Sequence, residues 1–431
     1  MEPVTVSRWP RRATIVALCF LAMVIAYTDR VNLAVAAVAM REEFGWSQTT
    51  KGFVLSAFYI GYMAFMLPAG WLSQRFGGRR AVGVAVIAWS ICTILTPIAA
   101  RYSFAALIAV RIALGVGEAA IFPAILRLYG AWIPPLERTR AVAAMMNGVP
   151  VGTVVGFVAA GAILVHWPWP VVMYAFGAVG LAWAIPWFAT VRDDPRDDPG
   201  VSAAERAHLA AHLVPETSVG SVPWRALFGS RSTWSLIGAQ FATTWTLFVL
   251  LSWLPSYFRD VQKLSAASAG LFSSLPWLAM AACSMVAAPV SDRLIRRGLP
   301  VTRARQLFQC LGLIGSAALL LAIRDVTSPN VALAILCGAA GALGLTWCGY
   351  APAYIDIAPR HSAIVAAMGT TIGTVPGVVG VAFTGWLVQQ TGTYAAAFTT
   401  PAIISFVGAT AFLIFFRAEP MTTPEHSGPE H

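Results

Sequence analysis

The chain has 431 residues, of which 58% are hydrophobic and 11% charged. A water-soluble domain carries about 25% charged residues, so this balance excludes an ordinary soluble protein. The 29 Lys and Arg against 19 Asp and Glu give a net charge of +10, but the basic excess sits in short segments between apolar stretches, as in loops beside anionic lipid and not as in a nucleic-acid-binding face.

A bilayer core of about 30 Å needs roughly 20 apolar residues per helix. On that measure the sequence predicts spans at 13–40, 51–74, 80–99, 102–128, 139–165 and 169–191. A polar stretch follows at 192–231, and then spans at 232–258, 267–292, 305–324, 329–355, 362–389 and 394–416. The fold expected is an all-α membrane protein with twelve transmembrane helices. Three arginines precede the first span as they would a signal peptide, but Asp29 and Arg30 would interrupt the apolar region of one. The six cysteines all fall in apolar stretches with no C-x-x-C pair, so neither a disulfide framework nor a metal or cofactor site is read.

Basic residues set the orientation. Arg8, Arg11, Arg12, Arg75, Arg79 and Arg80 fall on one side with Arg293, Arg296 and Arg297, whereas Arg41, Lys51 and Arg101 fall on the other. Both termini are therefore expected in the cytoplasm. The stretch 192–231 opens R-D-D-P-R-D-D-P-G, which suits a solvated linker with a surface helix near Ala203–Leu213. His208 and His212 are four apart, as in zinc helices, but the Glu of H-E-x-x-H is missing.

The linker divides the chain into a six-span bundle at 1–191 and another at 232–431, and the two echo each other. G-W-L-S-Q-R-F-G-G-R-R (Gly70–Arg80) follows span two, and P-V-S-D-R-L-I-R-R-G (Pro289–Gly298) follows span eight. Spans five and eleven also open alike, at Arg140–Met145 and Ala363–Met368. Pseudo-symmetric halves are the architecture of alternating-access carriers. A membrane enzyme would need a nucleophile with its base, or a metal cluster, and no such constellation stands out.

These motifs carry a resemblance. G-x-L-x-x-R-x-G-x-R-R in the first loop is similar to the loop signature of the major facilitator superfamily. Tyr27-x-Asp29-Arg30-x-Asn32-Leu33, R-I-A-L-G-V-G-E-A-A-I-F-P-A (Arg111–Ala124), D-I-A-P-R-H (Asp356–His361) and G-T-V-P-G (Gly373–Gly377) narrow it. Together they resemble the anion–cation symporter branch, with its bacterial sugar-acid carriers and animal sialic-acid, phosphate and vesicular glutamate transporters. The resemblance runs from about residue 15 to 416. It implies a carrier in a bacterial inner membrane, functional as a monomer, that takes up a small organic anion with a proton. It also implies conformational roles for Gly70, Arg75, Gly77, Arg79, Arg80, Asp292 and Arg293. Two departures stand out: Gln74 replaces the usual loop Asp, and Thr370 or Thr374 stands where relatives tend to have Asn.

Charges deep in a span are costly and usually functional. Asp29, Arg30, Arg111 and Glu118 lie well inside, all in the first half. Arg111 and Glu118, seven apart, share a helix face about 10 Å apart along the axis, whereas Asp29 and Arg30 point roughly 100° apart. The expectation is that Asp29 pairs with Arg111, leaving Arg30 to bind a carboxylate bidentately. The two acids and two arginines sum to zero, so an entering anion would leave a buried negative charge. A proton on Asp29 or Glu118 would remove it, with Arg111 completing the coupling group. The rival reading is an exchanger or facilitator in which the acids only balance the arginines.

Neutral groups complete the expected site. Tyr27 precedes Arg30 by three residues, and Tyr62 and Asn147 match cavity-lining positions of the sugar-acid carriers. From the second half come Gln240, Thr244, Ser273, Trp347, Tyr350 and Thr370. Trp253 and Trp277 read as interfacial anchors, and Gly148, Gly152 and Gly156 as a close-packing stripe.

Overall fold

The computed structural model describes residues 10–212, 224–324, 326–359 and 361–420, with only the backbone of Ala363. The first three spans are single helices, α1 (Arg11–Phe44), α2 (Gln48–Phe76) and α3 (Gly78–Tyr102). The fourth is α4 (Phe104–Ala119) with α5 (Ile121–Trp132), the fifth α6 (Pro135–Met146) with α7 (Gly148–His166), and the sixth α8 (Trp169–Thr190). The linker holds a 3-10 turn at Pro195–Asp197, then α9 (Ala203–His212) and α10 (Trp224–Gly229). Next come α11 (Arg231–Asp260), α12 (Ala266–Arg296) and α13 (Val301–Ala322). The tenth span is α14 (Pro329–Leu345), a 3-10 turn at Thr346–Cys348, and α15 (Tyr350–Ile357), before α16 (Ser362–Thr391) and α17 (Ala395–Phe415). Among the described residues twelve helical segments are long and apolar enough to cross a membrane.

Three spans break at a common distance from a proline. The interruptions at Ala120, Asn147 and Gly349 each lie three residues before one, Pro123, Pro150 and Pro352. Proline has no N–H for the carbonyl four residues back, and its ring crowds that carbonyl. Other prolines, such as Pro97 and Pro376, lie inside helices that continue, which membrane helices tolerate.

Contacts cluster the chain into two units. One is Met1–Glu216 with Leu264–Ser274, and the other is Thr217–Lys263 with Leu275–His431. In the first unit α2 packs on α4, α1 on α7, and α3 on α4 and α8. Glycine permits this: a Cβ on Gly115 would meet the Phe58 carbonyl, and one on Gly148 would lie 2.7 Å from the Phe20 carbonyl. Gly152 and Gly156 continue that stripe against Val24 and Thr28 of α1. In the second unit α11 packs on α16 and α17, and α13 on α14 and α17. Trp253 and Trp277 are buried, 1% and 5% exposed, which corrects their reading as interfacial anchors. The Trp253 indole N–H donates to the Val381 carbonyl at 3.2 Å, so packing between helices decided its place.

The linker helix is also corrected, since it is bound and not merely solvated. Helix α1 starts after Pro10 without a side-chain cap of its own, so its first N–H groups need an outside acceptor. Glu205 of α9 supplies it, accepting from the N–H of Arg11 at 2.8 Å and of Arg12 at 3.0 Å. Ion pairs surround this cap: Arg11 to Asp198 at 2.9 Å, Arg12 to Glu137 at 2.9 Å and Arg12 to Glu205 at 3.2 Å. His208 stands 3.2 Å from Glu137. A carboxylate at a helix N-terminus also meets the positive end of the helix dipole.

Candidate functional site

In the first unit the charged residues meet around the break in the fourth span. Glu118 sits in the last turn of α4, two residues before the interruption at Ala120. Its side chain is fully buried, and Arg30 of α1 donates to its Oε2 from Nη2 at 2.6 Å and from Nε at 3.2 Å. The Arg30 guanidinium carbon lies 4.5 Å from the Tyr27 ring, 5.0 Å from Phe58 and 4.9 Å from Tyr62. Three ring faces and one carboxylate thus enclose a cation whose side chain is 7% exposed. Phe58 was not singled out in the sequence, since an apolar residue in an apolar span gives no signal.

The expected pairing is not formed. No ion pair joins Asp29 to Arg111; the paired arginine is Arg30, and its acid is Glu118. Asp29 faces Trp89 and Thr93 of α3 and accepts a bond from Asn32 at 3.2 Å. Its Oδ2 accepts none from the protein. Arg111, 2% exposed, lies 5.7 Å from the Phe58 ring, and its Nε has no acceptor. Neighbours on a helix diverge by about 100°, so Asp29 turns to α3 while Arg30 turns to α2 and α4. Tyr62 is half-buried, and Asn147 is exposed at the break of the fifth span with no side-chain capping bond.

In the second unit Gln240 is buried and its Oε1 accepts from the Tyr354 hydroxyl. Gly369 lies against both groups, so any side chain there would displace them. Trp347, Tyr350 and Tyr354 form a run of rings with centroids 6.4 Å apart at each step. Tyr354 was missed in the sequence. Thr370 is exposed, and its hydroxyl donates to the Ala366 carbonyl at 2.8 Å; Thr244 likewise donates to Gln240 at 2.9 Å. Ser273 is buried in the part of α12 that clusters with the first unit, its hydroxyl unpartnered. Beside the break in the tenth span, Arg305 of α13 pairs with Asp356 at 2.8 Å and reaches the Cys348 carbonyl at 3.4 Å. Pro352 leaves that carbonyl without its helical donor.

The loop motif is tied to the end of the sixth span. Gly77 has φ +84°, a region favouring glycine, and a Cβ on it would meet the Asp193 carboxylate at 2.7 Å. Asp193 accepts from the Arg79 N–H at 2.8 Å, and the Arg79 guanidinium donates to the Phe188 carbonyl at 2.8 Å. Arg75 lies 5.4 Å from the Trp71 ring, Gly70 is half-buried, and Arg80, Asp292 and Arg293 are exposed. Among the described residues no group of three His, Cys, Asp or Glu side chains could hold a metal.

The profile of the Major Facilitator Superfamily matches residues 19–381. A probable anion transporter 4, chloroplastic, of Oryza sativa subsp. japonica is 33% identical over 96% of this chain and 70% of its own. From Arabidopsis thaliana, the sodium-dependent phosphate transport protein 1, chloroplastic, is 34% identical over 96% and 80%, and a chloroplastic ascorbate transporter 33% over 96% and 76%. Among solved structures, a bacterial homolog of the human lysosomal transporter Spinster superposes with a TM-score of 0.78 at 18% identity, covering 97% of this chain and 100% of that one. A D-xylose–proton symporter gives 0.74 at 15% identity over 94% and 98%.

Proposed function

The chain belongs to the Major Facilitator Superfamily, and from that footing we propose that it imports a small organic anion together with a proton by alternating access. The relatives named for anions, phosphate and ascorbate support an anion as cargo. The observation that carries the proton is the buried 2.6 Å pair of Arg30 with Glu118. While Glu118 is ionised it occupies the guanidinium that a carboxylate substrate needs. Protonating Glu118 frees Arg30, and the freed charge balances the incoming anion instead of leaving it uncompensated. Arg111 and Asp29 keep the remaining charge near zero.

The neutral groups assigned to the anion are Tyr27, Tyr62 and Asn147 in the first half, with Gln240, Trp347, Tyr350 and Thr370 in the second. The proposal extends to two six-span bundles, 1–191 and 232–431, joined by the linker 192–231. It places both termini on the cytoplasmic face of a bacterial inner membrane, which the excess of basic residues in the inward loops supports. The loop residues Gly70 to Arg80, with Asp292 and Arg293, are assigned to the conformational change.

The test is the external pH of lightly buffered, de-energised cells making the protein, with sugar acids, short hydroxy- and dicarboxylates and sulfonates added in turn. Alkalinisation on adding one compound, absent in Glu118→Gln, is the expected result. Entry of a labelled anion with no pH change refutes the coupling and leaves exchange or facilitated diffusion. Each pH unit of gradient is worth about 1.4 kcal/mol per proton, or about tenfold accumulation, and Glu118→Gln should reduce that ratio to about one.

A further inference from the structure

The second-half copy of the loop motif differs from the first in what its arginines touch. In the first copy Arg79 is held by the Phe188 carbonyl and its backbone by Asp193. In the second, Arg293, Arg296 and Arg297 are all exposed at the end of α12, and among the described residues none of them forms an ion pair. The one acid beside them, Asp292, is also exposed.

These arginines continue an apolar face. Met285, Val286 and Val290 are 73%, 64% and 44% exposed. With Pro289 and the three arginines they line a shallow, open groove of about 680 Å³ along one side of α12. The spacing from Val286 through Val290 and Arg293 to Arg297 follows one side of a helix, and Met285 to Arg297 spans about 18 Å at 1.5 Å per residue. The face therefore runs from the apolar body of α12 to three guanidiniums at its C-terminal end.

We propose that this groove binds one anionic phospholipid, its phosphate held by Arg293, Arg296 and Arg297 and an acyl chain laid along Met285, Val286 and Val290. Guanidinium groups bind phosphate oxygens in a bidentate fashion. A soluble phosphate would satisfy the arginines but leave the apolar face uncovered, and a zwitterionic headgroup would bring its own cation among them. The site involves neither Arg30 nor Glu118 and stands whether or not transport is proton-coupled.

The test uses the full chain, purified and presented with equal amounts of phosphatidylglycerol and phosphatidylcholine, with retained lipid counted by native mass spectrometry. The wild type should keep about one phosphatidylglycerol in several-fold preference. R293Q/R296Q/R297Q should lose that preference, whereas R206Q/R225Q/R231Q, which removes three charges elsewhere, should keep it. Excess inorganic phosphate should not displace the lipid. A preference that survives the first variant, falls equally in the second, or yields to inorganic phosphate overturns the proposal. A photoactivatable phosphatidylglycerol on the wild-type chain reads the site without any variant: label is expected within 285–297, and label only elsewhere refutes it.

Discussion

Replacing Glu205 with Ala should loosen the N-terminal end of the first span. The change removes a carboxylate that is 7% exposed and accepts two backbone N–H groups at 2.8 and 3.0 Å. Loss of an N-terminal cap costs about 0.5–2 kcal/mol. Losing the 3.2 Å contact with Arg12 adds less, because Arg12 keeps Glu137 at 2.9 Å and no charge is orphaned. A total of about 2 kcal/mol is expected. In a cooperative unit of about two hundred residues that lowers Tm by about 4–8 °C. Thermal unfolding of the detergent-purified protein, followed by a thiol-reactive dye on the buried cysteines, measures it. Glu205→Gln keeps an acceptor oxygen and should lose about half as much, while Arg206→Ala, an exposed neighbour, should melt with the wild type. If Glu205→Ala melts with the wild type, or Arg206→Ala falls as far, the linker does not cap the first span.

Gly77→Ala combines a positive φ of +84° at extended ψ, a region kept for glycine, with a Cβ 2.7 Å from Asp193; it should cost about 1–3 kcal/mol and raise proteolysis near the start of α3. Gly115→Val should abolish folded yield in fluorescence-detected size exclusion, because its side chain would meet the Phe58 backbone, whereas Gly70→Ala, with nothing within 4 Å, should express as the wild type. If Trp347 and Tyr350 bind the proposed anion, Arg305→Gln should raise its half-saturation constant by about tenfold, since the tenth-span break that bears them loses its brace, a loss on the order of 1.4 kcal/mol. Arg305→Lys, which can still meet Asp356, should recover part of that loss; equal constants in all three proteins would separate the brace from recognition.

The loop and span patterns were readable because they are local. Apolar runs of about 20 residues report the spans, and the glycines spaced by four in α7 report a close approach before the neighbouring helix is known. Asp29, Arg111 and Glu118 were conspicuous for the same reason, as charges in apolar surroundings, whereas Lys51, read as a loop residue, is also fully buried. Local pattern failed on Trp253, because tryptophan suits both an interface and a core, and only the Val381 carbonyl distinguishes them. Tyr354 and Phe58 were overlooked for a related reason: each acquires its role only from a neighbour far along the chain.

Composition and periodicity by themselves determined the membrane class and the twelve spans, and they marked Asp29, Arg111 and Glu118 as ionisable groups in apolar surroundings. These follow from the cost of exposing polar groups to lipid, which each segment meets alone. Tertiary structure decided the pairing. Arg30 reaches Glu118 across 88 residues, and Glu205 reaches the first N–H groups of α1 across 194. Asp29 turns away to α3 although it adjoins Arg30. Such choices depend on where a proline interrupts a span and on which glycines let two backbones touch. They are properties of several helices together, and no single segment encodes them.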